Sequence, residues 1–415
     1  MEKTFSSSCF SAADILLPNL PELETWAVIA CDQFTSQPEY WHRVEAITEG
    51  RYSAAHLILP ESELGPHASE RISRIHAEML RYLQGNIFRT YHDAYLYCER
   101  TLQDGGIRRG IIGKVDLEKY DYTGCVDSAV RATESTVAER IPPRMAVRSG
   151  AALELPHILL LCDDDREMLI EPLHEMKDSL PKVYGFDLML GGGHVDGWLV
   201  IGREKELLDR KLDEYAGFQQ MKHPGTEFQY AVGDGNHSLA TAKACYERMK
   251  MLDPGIVDTD HPARYALCEL NNIHDPSVMI APIHRLVKKC DAEQLLKDLC
   301  SVFSGSDGIV VPWFSGVQSG TVMLRSDRNR LPLAILQEFL DEWLTTHPGE
   351  IDYIHGDEVL RELCRVPDSV GFVLPAIDKR MLFPYILSDG VLPRKTFSMG
   401  EASDKRYYLE VRKIE

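Results

Sequence analysis

The run Glu227-Phe-Gln-Tyr-Ala-Val-Gly-Asp-Gly-Asn-His-Ser-Leu-Ala-Thr-Ala-Lys243 limits what this chain can fold into more than any other stretch. Phe228, Tyr230 and Val232 alternate with Gln229 and Ala231, the period of a half-buried strand. Gly233-Asp-Gly235 then turns the chain, and Leu239, Ala242, Tyr246 and Met249 recur at helical spacing with Lys243, Glu247 and Lys250 on the other side. A strand, a glycine-containing turn and a helix thus follow one another within about twenty residues. Such a junction aims the first N–H groups of the helix at one point, which suits an anion such as a phosphate. Asp234, Asn236 and His237 stand beside that point, where a carboxylate, an amide and an imidazole can bind metal, orient a hydroxyl or move a proton. The same residue types are ordinary turn and cap residues, so the remainder of the chain has to decide between the two.

Length and charge narrow the classes. At 415 residues the chain fits two or three domains or subdomains. A formal net charge of -19 disfavours a phosphate-backbone partner, which needs a basic stripe, and favours small-molecule chemistry. Ten cysteines, from Cys9 through Cys125 to Cys364, include no Cys-x-x-Cys pair, which supports neither a zinc ribbon nor a disulfide framework. Reduced thiols, the lack of a signal-like start and the lack of a long apolar run lead us to expect a cytoplasmic protein off the membrane.

Along the chain, Trp26 to Cys31 reads as a short buried strand ending at Asp32, and Pro38 opens a helix with Trp41, Val44 and Ile47 on one face. A second helix is expected over about residues 65 to 85. Tyr91 to Thr101 and Ile107 to Asp116 form a hairpin at Gln103-Asp-Gly-Gly106. Between 127 and 150, Arg131, Arg140, Arg144 and Arg148 stand among Glu134, Thr136 and Glu139, and Pro142-Pro143 interrupts any helix. Those arginines either pair with local glutamates on the surface or recognise an anion through guanidinium forks. Leu155 to Cys162 is a buried strand with an acidic exit, Asp163-Asp-Asp165. Val183 to Leu190 and Trp198 to Gly202 make a second hairpin around Gly191-Gly-Gly193, which lacks the Gly-Lys-Ser/Thr of a phosphate loop and is turn chemistry. After a helix from Glu204 to Phe218 and the junction itself, Arg264 to Leu270 is a strand. Val278 to Leu286 is another, and it presents His284 and Arg285 at its end. From Cys290 an α+β module of about 90 residues follows, including a strand from Thr321 to Arg325.

Four of these segments, in this order, resemble a widespread prokaryotic family of unknown function, DUF1015. Asp234-Gly-Asn-His-Ser-Leu-Ala-Thr-Ala242 is similar to its Asp-Gly-His-His-Arg-Tyr-Glu-Thr-Ala motif, and Glu134-Ser-Thr136 with Arg140, Arg144 and Arg148 to its Glu-x-Thr and spaced arginines. Ala281-Pro-Ile-His-Arg-Leu286 resembles its Leu-Pro-Thr-His-Arg segment, and Leu392-Pro-Arg-Lys-Thr396 its Met-Pro-x-Lys-Ser/Thr. Agreement across several levels counts for more than any one of them. Two departures stand out: Asn236-His237-Ser238 replaces His-His-Arg, losing an imidazole and a cation, and Ala30-Cys31-Asp32 shortens the family's Ala-Pro-Pro-Tyr-Asp. The Asp-Gly-x-His turn also resembles the ParB and sulfiredoxin-like group, which implies a nucleotide.

The resemblance implies a mixed α+β fold with a ParB/sulfiredoxin-like nucleotide-binding core and an additional C-terminal α+β subdomain. Its regions are 1–125, 126–288 with the Asp-Gly-Asn-His motif, and 289–415 returning to the site, together one family-wide unit. The expected activity is that of a nucleotide-dependent, kinase-like phosphotransferase acting on a small polar metabolite, with ATP or ADP and a possible Mg²⁺ at Asp234. Asp234, His237, His284 and Asp32 are the expected catalytic residues. Asn236, Ser238, Glu134, Arg140, Arg144, Arg148, Arg285 and Lys395 are the expected substrate and phosphate ligands. A metal-dependent hydrolase using Asp234, His237 and His284, and a non-catalytic nucleotide-binding regulator, are the alternatives. No nucleic-acid or membrane partner is expected, and the oligomeric state is open.

Overall fold

The computed structural model describes residues 7–65, 68–124, 127–303, 308–324 and 331–415; Cys125 and Arg325 lie outside them. The fold is mixed α/β and divides into two compact units. The first unit comprises the described residues up to Ala132, Thr136–Val278 and Gly400–Glu415; the second comprises Thr133–Ser135 and Met279–Met399.

The first unit is built on an eleven-stranded sheet among the described residues. Its centre is Leu159–Cys162, buried at all positions, which runs parallel to Tyr265–Asn272 and antiparallel to Tyr230–Asp234. A Leu-Leu-Leu-Cys run with no polar alternation suits a strand covered on both faces. Tyr265–Asn272 continues into the hairpin Phe88–Thr101 with Ile107–Asp116, whose turn is held by Asp104 Oδ1 accepting the Gly106 N–H at 2.8 Å. The hairpin Lys182–Asp187 with His194–Val200 extends that side.

The last sixteen residues belong to this unit too. Tyr407–Tyr408 pairs with Val28–Ile29, and Arg412–Lys413 with Leu153–Glu154. Trp26 is wholly buried and donates its indole N–H to the Leu409 carbonyl at 2.9 Å, satisfying the one polar atom of a large apolar ring. Tyr407, Tyr408, Leu409, Val411 and Ile414 join the same apolar core as Val28, Ile29, Trp41 and Tyr82.

The helix Ile141–Arg148 corrects one expectation. Pro142 and Pro143 do not interrupt it; they lie in its first turn, where the missing N–H has no helical partner to lose and φ is already suitable. It packs on the helix Asn236–Leu252.

The second unit carries the sheet order Gln318–Leu324, Ile309–Ser315, Ser369–Phe372, Ile280–Lys288, Glu350–His355, with Phe397–Met399 also on Ile280–Lys288. Leu295 and Leu299 of one helix and Leu333, Leu336, Leu340 and Trp343 of another close one core against Val287, Val311, Val322 and Val370. Leu360 and Cys364 cover Leu286 and Ile354 in a smaller one.

Buried charge ties the tail to the first unit. Glu154 receives Arg412 Nε and Arg148 Nη2, each at 2.6 Å, and both Glu154 and Arg412 are almost fully buried. Burial, the largest influence on the Glu154 carboxyl, pushes its pKa up, but Arg412 and Arg148 outweigh it and hold it below its ordinary value. Glu154→Ala leaves a buried guanidinium uncompensated and is expected to cost about 3–5 kcal/mol in denaturant titrations, with Glu154→Ala/Arg412→Met recovering part of it. Because the folded-state pKa is depressed, the ionised carboxylate's contribution is complete above the unfolded value and is lost as pH falls through the folded one. The stability gap between the native protein and Glu154→Gln should therefore shrink from about pH 4.3 downward.

Candidate active site

Strand Tyr230–Asp234 ends where the helix Asn236–Leu252 begins, with Gly235 between them. Gly235 sits at φ +80°, and a Cβ there would lie 3.1 Å from the Ile158 Cα, so both conformation and close approach call for glycine. Gly235, the residue at the cap position, has no side chain with which to cap this helix start. Asp234 Oδ1 accepts the Gly235 N–H at 3.0 Å instead, and its Oδ2 lies 3.1 Å from the ammonium of Lys405.

Lys405 comes from the tail, on a loop whose main chain is clamped by two arginines of the hairpin. Arg100 donates to the carbonyls of Ser403 (2.7 Å), Asp404 (3.2 Å), Lys405 and Gly192 (2.8 Å), and Arg108 donates to Asp404 O at 2.8 Å. Arg100 also stacks on the Tyr407 ring, 4.8 Å from its centre. Burial first, then the neighbouring Arg108 charge, lower the Arg100 pKa to about 9.

A second group adjoins the first. His157 is buried at the entrance of Leu159–Cys162; its Nδ1 meets the Tyr408 hydroxyl at 2.7 Å and its Nε2 meets Ser238 Oγ at 3.3 Å and Asp32 Oδ1 at 3.9 Å. Tyr408 in turn donates to Cys31 Sγ and accepts the Cys31 N–H. Burial pushes the Asp32 carboxyl up, but His157, the Gln33 amide and Lys405 hold it below its ordinary value, so it is ionised at neutral pH. Burial drives the Cys31 thiol the other way, to about 12, which makes it a packing group rather than a nucleophile. Two carboxylates, an ammonium, an imidazole and the hydroxyls of Ser238 and Tyr408 are thereby grouped around one helix start.

The other residues singled out from sequence fall as follows. His237 Nε2 accepts the Val137 N–H at 3.3 Å, so the neutral ring carries its proton on Nδ1. Asn236 is half-buried in the first helical turn. Arg144 pairs with Glu61 at 2.6 Å and Arg148 with Glu154, while Arg140 is exposed.

Glu134, His284, Arg285 and Lys395 belong to the second unit. There the Glu134 carboxylate accepts the N–H groups of Lys395 and Thr396, each at 3.0 Å. Burial raises its pKa against those donors. Arg285 is fully buried and donates to Lys395 O (2.9 Å), Arg394 O (3.1 Å), Ile283 O (2.8 Å) and Gln337 Oε1 (2.6 Å). The Arg394-Lys395-Thr396 turn is thus held from both sides, with Lys395 at φ +56° and its side chain exposed. Such a backbone conformation persists in a non-glycine residue only where the surroundings enforce it. His284 uses both ring nitrogens, Nδ1 accepting the Leu374 N–H and Nε2 on Asp357 Oδ1 at 2.8 Å, and burial lowers its pKa.

His157, Lys405 and Tyr408 were not singled out from sequence. A histidine directly ahead of a buried run was the one available signal for His157, whereas Asp404-Lys-Arg406 reads as surface charge. Among the described residues no group of three or more His, Cys, Asp or Glu side chains could hold a metal ion, and no helix is long and apolar enough to cross a membrane.

Residues 17–410 match the profile of a protein family described as "Protein of unknown function (DUF1015)". No curated protein matches. Among solved structures, SbnI with a C-terminal truncation from Staphylococcus aureus is 9% identical, with 70% of this chain and 82% of that one covered and a TM-score of 0.38. A conserved hypothetical protein from Pyrococcus furiosus is 13% identical, with 71% and 90% covered and a TM-score of 0.34. A free serine kinase variant in complex with ADP is 13% identical, with 73% and 91% covered and a TM-score of 0.37.

Gly235→Ala forces a left-handed conformation on alanine and presses its methyl on Ile158. An unfolding titration is expected to show a loss of about 1–3 kcal/mol, larger than Ala substitution at an ordinary exposed glycine.

Proposed function

The chain belongs to the DUF1015 family, and we propose that this member is a nucleotide-dependent phosphotransferase acting on the hydroxyl of a small polar metabolite. One observation carries the reading: Lys405 brings an ammonium to within 3.1 Å of Asp234 at the start of a 17-residue helix. A helix start is a positive pole with outward N–H groups, and a lysine beside it adds a full charge. Transferring a phosphoryl group requires little covalent chemistry from a protein beyond placing such positive groups on the phosphate oxygens and orienting the nucleophile.

In this reading the acceptor hydroxyl attacks the terminal phosphorus, its proton passes to the ionised Asp32 carboxylate, and the bond from phosphorus to the bridging oxygen of the nucleotide breaks. The helix start and Lys405 stabilise the charge on the transferred group and on the departing diphosphate. His157 and Ser238 hold Asp32 and the acceptor in register. The carboxylate oxygens of Asp234 and Asp32 are donors of the hard type that Mg²⁺ takes, and such an ion would neutralise phosphate charge when bound.

ATP, ADP, CTP and GTP, each with and without Mg²⁺, provide the test. The cognate nucleotide at a hundredfold excess over its Kd should raise apparent stability by about 2.7 kcal/mol in thermal unfolding. Asp234→Ala should reduce the Mg²⁺-dependent part of that shift, and ATP consumption should depend on a hydroxylated metabolite. No shift with any of the four would sink the reading, while binding without turnover would make the protein a regulator.

A further inference from the structure

The tail loop around Lys405 is held more firmly than a surface ion pair requires. A pair on an open surface contributes about 0–1 kcal/mol and does not need its backbone fixed, whereas Lys405 is itself buried beside Asp234. Here an almost wholly buried Arg100 directs its donors to four main-chain carbonyls, three of them the consecutive acceptors of Ser403, Asp404 and Lys405. Arg108 adds another bond to Asp404 O, and Arg406, the next residue, is buried against Glu269 at 2.6 Å and against Glu410. Desolvating arginines is costly, and the donors directed to these carbonyls and carboxylates offset part of that cost while fixing the main chain.

What that rigid loop presents is a side chain with a choice of partners. The Lys405 ammonium sits 3.1 Å from Asp234, and its charge also helps hold the Asp32 carboxyl below its ordinary value. Lysine is a compact charge on a flexible stem with three donors, and it can turn from a carboxylate to an incoming anion without moving its backbone. Three residues on, the same tail places Tyr408 on His157.

We infer that the C-terminal tail is a working part of the site: Lys405 binds the phosphate oxygens of the ligand, turning from Asp234 to do so. This rests on the phosphotransferase reading for the identity of the ligand, and on the loop geometry alone for the identity of the cation.

The test uses the full chain in calorimetric titrations with pyrophosphate and with ADP, each in the presence of Mg²⁺. Lys405→Met is expected to weaken both by about tenfold or more, the scale of one lost charge-assisted hydrogen bond, and Lys405→Arg to restore part of the loss. Ligand-free melting of each variant reports whether it folds, and Lys405→Gln replaces Lys405→Met if that variant does not. Pyrophosphate binding that Lys405→Met abolishes, with no ADP binding to the native protein, would uphold the lysine and remove the nucleotide. ADP binding that Lys405→Met leaves unchanged would overturn the role of Lys405 and leave the nucleotide reading standing. A native protein that binds neither ligand overturns both.

Discussion

The grip of Arg100 on the carbonyls of residues 403–405 is the interaction on which the rest of the first unit's site depends. A guanidinium offers five donors in a rigid plane, and carbonyl oxygens pointing at it from a turn can use several at once. The clamp fixes the backbone of the short 3₁₀ turn Ala402–Asp404 just ahead of Lys405, and the buried Arg406, on Glu269 and Glu410, fixes the residue just after it. The tail is anchored again downstream, by Trp26 on the Leu409 carbonyl and by Arg412 on Glu154. These anchors are mixed in kind: apolar burial supplies the driving force, and buried charge pairs select one register.

The site's electrostatics follow from where charge is left uncovered. Arg144 and Arg148 each meet a glutamate, and Arg285 meets four acceptors, so these guanidiniums are used in holding structure. Lys405 is paired with Asp234, and its charge also helps lower the pKa of Asp32. The helix start beside it has Gly235 where a capping serine or aspartate would stand, so the cap residue itself brings no side-chain acceptor to the positive end of the helix. In the second unit, opposite charges act on the backbone of one turn: Glu134 takes its N–H groups and Arg285 its carbonyls, and Lys395 is displayed as a consequence.

Several elements were legible along the chain. The alternation of Phe228, Tyr230 and Val232, the glycine and the helical spacing from Leu239 appear as Tyr230–Asp234, Gly235 and Asn236–Leu252. The hairpin at Gln103 to Gly106 and the strand expected from Val278 to Leu286, found as Ile280–Lys288, also lie within a few residues of their expected places. Local periodicity and turn chemistry carry that information because they depend on neighbours in sequence. The proline pair at 142–143 marks the limit of such local signals: proline breaks a helix in its interior and favours it at its start, and only the position of the first turn tells the two apart.

What the sequence alone determined is the strand, turn and helix at Gly235, the mixed α/β class and the family, since each is written in spacing or in motif order. What only the tertiary structure decided is which charged groups stand at that turn. His157, Lys405 and Tyr408 come from distant segments, and the interactions that place them join residues as far apart as Arg100 and Lys405, 305 positions along the chain. Such pairings are set by the burial of the tail in a common core, and a charged Asp404-Lys-Arg406 run looks the same in sequence whether it faces water or a site.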